Sequence, residues 1–122
     1  AEFVRAGLEC IAYQICDVIT AMQEDSHMKI SELRVDGGPT RNSYLMQFQS
    51  DLLDAVVQIP EAEELSGIGV AYMVGLSVGL WNDDVFTRIN RNQYYPSMNK
   101  DVRNKKITGW KNAVSKVLTQ KM

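Results

Sequence analysis

Apolar positions along the first part of the chain recur at three- and four-residue steps. Val4, Leu8, Ile11, Ile15, Ile19 and Met22 form one stripe, widened by Ala12 and Val18, so the spacing predicts a helix over residues 4–22. Residues 23–31 are polar and predict its exit. A short extended run over 33–36 stops at Gly37, Gly38 and Pro39, and Thr40 or Asn42 then offers a cap for a second helix. In that helix Leu45, Phe48, Leu52 and Leu53 share an inward face, with Met46 and Gln49 beside it. Residues 55–59 (AVVQI) predict a second strand before Pro60.

Glu61, Glu63 and Glu64 give an acidic entry to a third helix over about 68–80. Gly67, Gly69, Gly75 and Gly79 each lower its intrinsic propensity by roughly 1 kcal/mol relative to alanine. Such a loss is tolerated where backbones pack closely, so this helix is expected to be buried against another helix or a sheet. Residues 81–99 predict a long irregular connection containing Tyr94, Tyr95 and Pro96. A last helix, from 101 or 104 to 118, carries Ile107, Trp110, Ala113, Val114, Val117 and Leu118 on a common face. Trp81 and Trp110 are expected to anchor helix packing.

The element order predicts an α/β layer fold, but two strands face at least three apolar helix surfaces. Two strands make a poor sheet alone, so the rest is expected from upstream residues, another chain or a dimer partner. The exposed sheet edge also makes a homo-oligomer, including a nonphysiological one, an expectation.

Composition narrows the chemistry. The chain has 122 residues, 45% of them hydrophobic and 23% charged, which suits one globular domain rather than a disordered segment. A net charge of -2 argues against a nucleic-acid surface, and the basic tail is interrupted by apolar residues and Asp101. No apolar run reaches membrane-spanning length. Cys10 and Cys16 lie six apart in one helix, a poor spacing for a disulfide, and His27 is the only histidine. Neither a metal cluster nor an activated thiol is expected, and the cysteine usage suits the cytoplasm.

The strongest local signal is Asp36-Gly37-Gly38-Pro39-Thr40-Arg41-Asn42. A strand ends in an acidic residue, glycines permit a tight turn and close ligand approach, and the N–H groups of the next helix favour anions. The segment matches neither GxxxxGK[ST] nor GxGxxG, so it carries no P-loop or dinucleotide fingerprint. A structural turn before a capped helix accounts for it equally well, with Asp36 satisfying backbone N–H groups.

The run RVDGGPTRNSYLMQFQSDLL, then VVQIPEAEELSGIGVAYMVGLSVGLW, resembles the carbohydrate kinases related to glycerol kinase. The opening RAGLECIAYQICDVITAM resembles the helix preceding this region in the family, and GWKNAV its C-terminal helix. Pro39, and Ser66-Gly67-Ile68-Gly69, depart from the usual pattern.

The resemblance implies an actin/hexokinase-like (ribonuclease H-like) fold, with residues 1–122 a partial C-terminal nucleotide-binding domain. It implies ATP or ADP with Mg²⁺ as cofactors, glycerol or a related polyol or sugar as substrate, and a separate N-terminal domain as partner. Carried over by position, Gly38 would approach the nucleotide through its backbone and Asn42 would contact the adenosine end through its side chain. Gly37 would make the turn, Asp36 would fix it or face the nucleotide, and Arg41 would be an exposed neighbour. The family's catalytic aspartate, phosphate loops and polyol-binding residues match nothing here, so no catalytic or metal residue is assigned and the chain alone is expected to be inactive. The alternative is a noncatalytic α/β interaction module of kinase ancestry.

Overall fold

The computed structural model describes residues 1–61, 65–82, 84 and 90–118. In chain order it contains α1 (Glu2–Ser26), β1 (Glu32–Arg34), a 3-10 turn (Gly38–Arg41), α2 (Ser43–Leu53), β2 (Val56–Pro60), α3 (Leu65–Ser77), β3 (Arg91–Tyr94) and α4 (Lys100–Val117). The class is α/β, as the pattern predicts, with three strands among the described residues rather than two.

The sheet order is β1-β2-β3; β1 runs parallel to β2, and β3 antiparallel to it. β3 falls inside the stretch expected to be irregular. Its sequence, RNQY, has no apolar alternation; pairing with β2, including Gln58 opposite Gln93 and Val57 opposite Tyr94, makes it a strand. The register aligns Leu33, Val57 and Tyr94 in one row. All three pack on the core formed by Ala12, Cys16, Leu45, Met46, Phe48, Leu52 and Val57.

α2 is the centre of the molecule. It crosses from β1 to β2, and α1, the sheet and α4 pack around it, so Leu45, Met46, Phe48, Gln49, Ser50, Asp51 and Leu52 are all buried. Its buried polar groups consequently need internal partners. The Ser50 hydroxyl faces two carbonyl acceptors, Ala55 at 2.8 Å and Tyr94 at 3.0 Å. Asp51 Oδ1 accepts from the N–H groups of Ser97 (2.7 Å) and Met98 (3.0 Å), and from Gln47 Nε2 (3.1 Å). Arg103 completes this clasp by donating to the Asp51 carbonyl at 2.5 Å and pairing with Asp54 at 2.9 Å. The clasp joins α4 and the turn before it to the end of α2.

Helix faces differ from expectation. In α1 the buried positions are Ala12, Cys16 and Ile19, whereas Val4, Ile11, Val18 and Met22 are exposed. The predicted stripe is wider than the surface α2 covers, so the Ala12, Cys16 and Ile19 edge is buried and the rest is left outside. α1 also continues to Ser26, past its expected exit, and His27 closes it in the left-handed conformation at φ 55. α3 is not buried: Val70, Met73 and Val74 are 56–66% exposed. Close packing does explain Gly75, but at the helix's own end. The chain folds back so that a Cβ on Gly75 would lie 2.3 Å from the Trp81 ring, which also meets Tyr72 edge-on. Trp110, on α4, stacks on Tyr13 and donates to Asp17 at 2.7 Å. Of the expected α4 stripe, Ile107, Trp110 and Val114 are half-buried, while Ala113, Val117 and Leu118 are exposed.

Both thiols are free. Tyr94 packs on the core, while Tyr95 is exposed. Glu63 and Glu64 lie outside the described residues, and Glu61 is exposed. Among the described residues no helix is long and apolar enough to cross a membrane.

Candidate functional site

β1 delivers the Asp36–Asn42 segment to the edge of the sheet beyond the ends of the two parallel strands, where α/β sheets usually bind ligands. Pairing extends one residue past β1, with Val35 N–H donating to the Gln58 carbonyl at 3.0 Å. Asp36 is then exposed, and Gly37 adopts φ 97 and ψ 174. That region belongs essentially to glycine. The Gly37 carbonyl accepts from Thr40 N–H at 3.1 Å and from the Thr40 hydroxyl at 2.7 Å, tying the turn shut.

Gly38, Pro39, Thr40 and Arg41 form the 3-10 turn. Pro39 suits its start, because its fixed φ fits and its missing N–H is not needed there. Gly38 has no φ requirement, and a Cβ built on it meets nothing within 4 Å. The protein therefore leaves open the space a side chain would fill. Arg41 is exposed, as expected.

Asn42 is the N-cap of α2, and its Oδ1 accepts from Leu45 N–H at 3.0 Å. That bond fixes the side chain and directs its amide nitrogen, a donor, away from the cap. Of the residues singled out from sequence, Gly37, Gly38 and Asn42 thus come together in one turn, with Asp36 at its entrance.

Beside this turn lies an open groove of about 580 Å³ between the start of α1 and the start of α2, lined by Val4, Arg5, Leu8, Asn42 and Tyr44 among others. One wall is fastened by three side chains the sequence reading passed over. Tyr44 Oη donates to Glu9 Oε1 at 2.5 Å, and Arg5 Nε donates to the same oxygen at 2.7 Å and to Tyr44 Oη at 3.1 Å. Burial by itself favours the protonated Glu9, but the bonds from Tyr44 and Arg5, with the charge of Lys106, outweigh it and hold the carboxyl below its ordinary range. Burial and the bond to Glu9 push the Tyr44 phenol up. The Arg5–Glu9 pair was visible as an i, i+4 spacing; its link to Tyr44 spans 35 residues and was not.

Among the described residues no three His, Cys, Asp or Glu side chains converge where a metal ion could be held. Anions and hydrogen-bond acceptors suit the Gly38–Asn42 turn better. It offers an open approach at Gly38 and the Asn42 side-chain amide, and bears no acidic side chain between Gly37 and Asn42, while the N–H groups of Thr40 and Asn42 are spent on the Gly37 and Pro39 carbonyls.

The chain resembles known proteins over most of its length. Residues 1–78 match the model of the FGGY family of carbohydrate kinases, C-terminal domain. The chain is 50% identical over 117 residues to a glycerol kinase of Aliivibrio fischeri, covering 93% of this chain and 23% of that protein. It is 44% identical over 123 residues to a glycerol kinase of Bacillus velezensis, covering 98% and 25%. The crystal structure of Plasmodium falciparum glycerol kinase with ADP superposes with a TM-score of 0.84 at 31% identity, over 97% of this chain and 24% of that one. The chain thus spans about a quarter of the length of these relatives. Its sheet and helices are part of an actin/hexokinase-like α/β fold. The chain belongs to the FGGY family of carbohydrate kinases, and its first 78 residues lie in that family's C-terminal domain.

Proposed function

We propose that this chain supplies part of the nucleotide site of an ATP-dependent kinase that phosphorylates a hydroxyl of glycerol or a related polyol or sugar. The observation that carries the reading is the Gly37–Asn42 turn, open at Gly38, capped by Asn42 and set beyond the ends of the parallel strands, where α/β sheets usually bind ligands. The likeness to a glycerol kinase with ADP supports a nucleotide as the ligand.

In this reading Gly38 admits the nucleotide against its backbone, and the Asn42 amide donates to the adenosine end. Gly37 gives the turn its shape, and Asp36 stands at its entrance. All 122 residues belong to a C-terminal, nucleotide-side domain. The general base, the phosphate-binding loops and the acceptor pocket belong to a separate N-terminal domain. Phosphoryl transfer needs an oriented nucleophile and neutralised phosphates; Mg²⁺ would arrive with the nucleotide and supply that charge. The part played by this chain is to bind and orient the nucleotide.

Titration of the 122-residue chain with ADP and Mg²⁺, by calorimetry or amide chemical shifts, tests this beside Asn42→Ala and Gly38→Ala. Saturable binding, weakened by both, is the expected result. A folded chain that binds no ADP removes autonomous nucleotide binding. It would favour the second reading, a noncatalytic interaction module, for which the exposed Val70, Met73, Val74 and Val78 speak.

A further inference from the structure

The Arg5–Glu9–Tyr44 cluster lies on the border of the groove that Asn42 also lines. Tyr44 is the second residue of α2, and Asn42 is that helix's cap, so whatever fixes Tyr44 also fixes the direction from which Asn42 projects. Three bonds do so, all converging on Glu9 Oε1 and Tyr44 Oη within 2.5–3.1 Å. The Glu9 side chain is only 14% exposed, while Arg5 is 60% exposed and covers it from solvent. From below, the Tyr44 ring lies parallel to Phe48, with centroids 6.0 Å apart. Phe48 itself is buried against Tyr13 and lies under Lys106.

Tyr44 is therefore held at both ends, by its hydroxyl on α1 and by its ring on the core. Charge-assisted hydrogen bonds are roughly twice as strong as neutral ones, and the short Tyr44–Glu9 contact is of that kind. The cluster is more than α1–α2 packing requires. Ala12, Cys16 and Leu45 already bury that interface lower down, where no hydrogen bond from Tyr44 is needed.

We infer that Tyr44, clamped by Glu9 and Arg5, is a positioning residue for the nucleotide: it sets the first turn of α2, and with it the Asn42 amide, against the groove wall. The inference rests on the nucleotide reading of Asn42 given above. The residue acts through Asn42, so its loss leaves the turn chemistry intact and alters only where the amide is held.

The test compares the unmodified chain with Tyr44→Phe, Glu9→Ala, Glu9→Gln and Asn42→Ala. Three measurements are made: hydrogen exchange at the Leu45 amide, the Asn42 side-chain amide signals, and ADP affinity in the presence of Mg²⁺. Tyr44→Phe keeps the ring and its stacking. It is expected to speed Leu45 exchange, shift the Asn42 signals and weaken ADP three- to tenfold. Glu9→Ala should do the same. Glu9→Gln, which still offers an oxygen to Tyr44 and Arg5 but without the charge, should fall between Glu9→Ala and the unmodified chain, a partial rescue that general loosening would not give.

ADP binding weakened by Asn42→Ala but untouched by Tyr44→Phe overturns the inference and leaves the nucleotide reading standing. Unchanged Leu45 exchange and Asn42 signals in Tyr44→Phe overturn it equally. Binding that is indifferent to Asn42→Ala overturns the nucleotide reading and the role of the clamp together; where the unmodified chain binds no ADP by itself, Leu45 exchange and the Asn42 signals decide the clamp. Should Glu9→Ala fail to fold, Tyr44→Phe decides the matter alone.

Discussion

Gly37 and Gly38 are adjacent, yet the structure assigns them opposite sensitivities to an added methyl group. Gly37 sits at φ 97, ψ 174, where a side chain is strained whatever space surrounds it. Holding a non-glycine residue there costs about 1–3 kcal/mol. Gly38 has no such φ, and its Cβ would meet nothing within 4 Å. Gly38→Ala should therefore stay within about 0.5 kcal/mol of the unmodified chain. For a domain of this size, 1 kcal/mol moves the melting midpoint by roughly 3–6 °C. Gly37→Ala should accordingly melt about 3–18 °C lower, and Gly38→Ala about where the unmodified chain does.

Urea unfolding followed by far-ultraviolet circular dichroism measures both, and an unchanged slope confirms that the two states being compared are the same. ADP titration of the same samples separates stability from binding. Gly38→Ala should lose affinity at full stability, because its methyl group occupies the space left for the ligand. Equal midpoints for the two variants would refute the reasoning from the Gly37 backbone. Undiminished ADP affinity in Gly38→Ala would refute the role given to the open approach.

Asp51→Ala should cost about 3 kcal/mol, since it strips the acceptor from the N–H groups of Ser97 and Met98, and urea midpoints would register it. Gly75→Ala should displace the Trp81 ring, which a Cβ would approach to 2.3 Å, and shift tryptophan emission to the red with little change in overall stability. Glu9 has a folded-state pKa lowered below its ordinary value, so its contribution to stability is present above the unfolded pKa and lost as pH falls through the folded one. Stability should therefore drop below about pH 4, a loss that Glu9→Gln reduces in unfolding curves taken across that range. Cys16 is buried with its thiol pushed up by that burial, so a thiol reagent should modify the half-exposed Cys10 first and Cys16 only on unfolding.

The signals legible in the sequence are local ones. The stop at Gly37-Gly38-Pro39 and the cap at Asn42 depend on backbone preferences that each residue carries with it, and the structure places them as the chain predicts. The periods of α1, α2 and α4 are equally local, and all three helices form. Which face a helix buries is a different matter, because it depends on what lies opposite. α1 turns Ala12 and Cys16 inward and leaves Ile11 and Val18 outside, and apolar α3 stands exposed. β3 shows the same limit: Arg91–Tyr94 is polar and becomes a strand only because β2 presents an unpaired edge to it. Long-range polar links were invisible for that reason too. Tyr44 to Glu9, Asp51 to Ser97 and Trp110 to Asp17 join residues 35–93 positions apart, and hydrogen bonds of that kind leave no periodicity in a sequence. The sequence by itself determined the helices, the turn and its capped exit. Tertiary packing alone decided how that turn is held against α1, because the contacts that hold it exist only once the two helices are side by side.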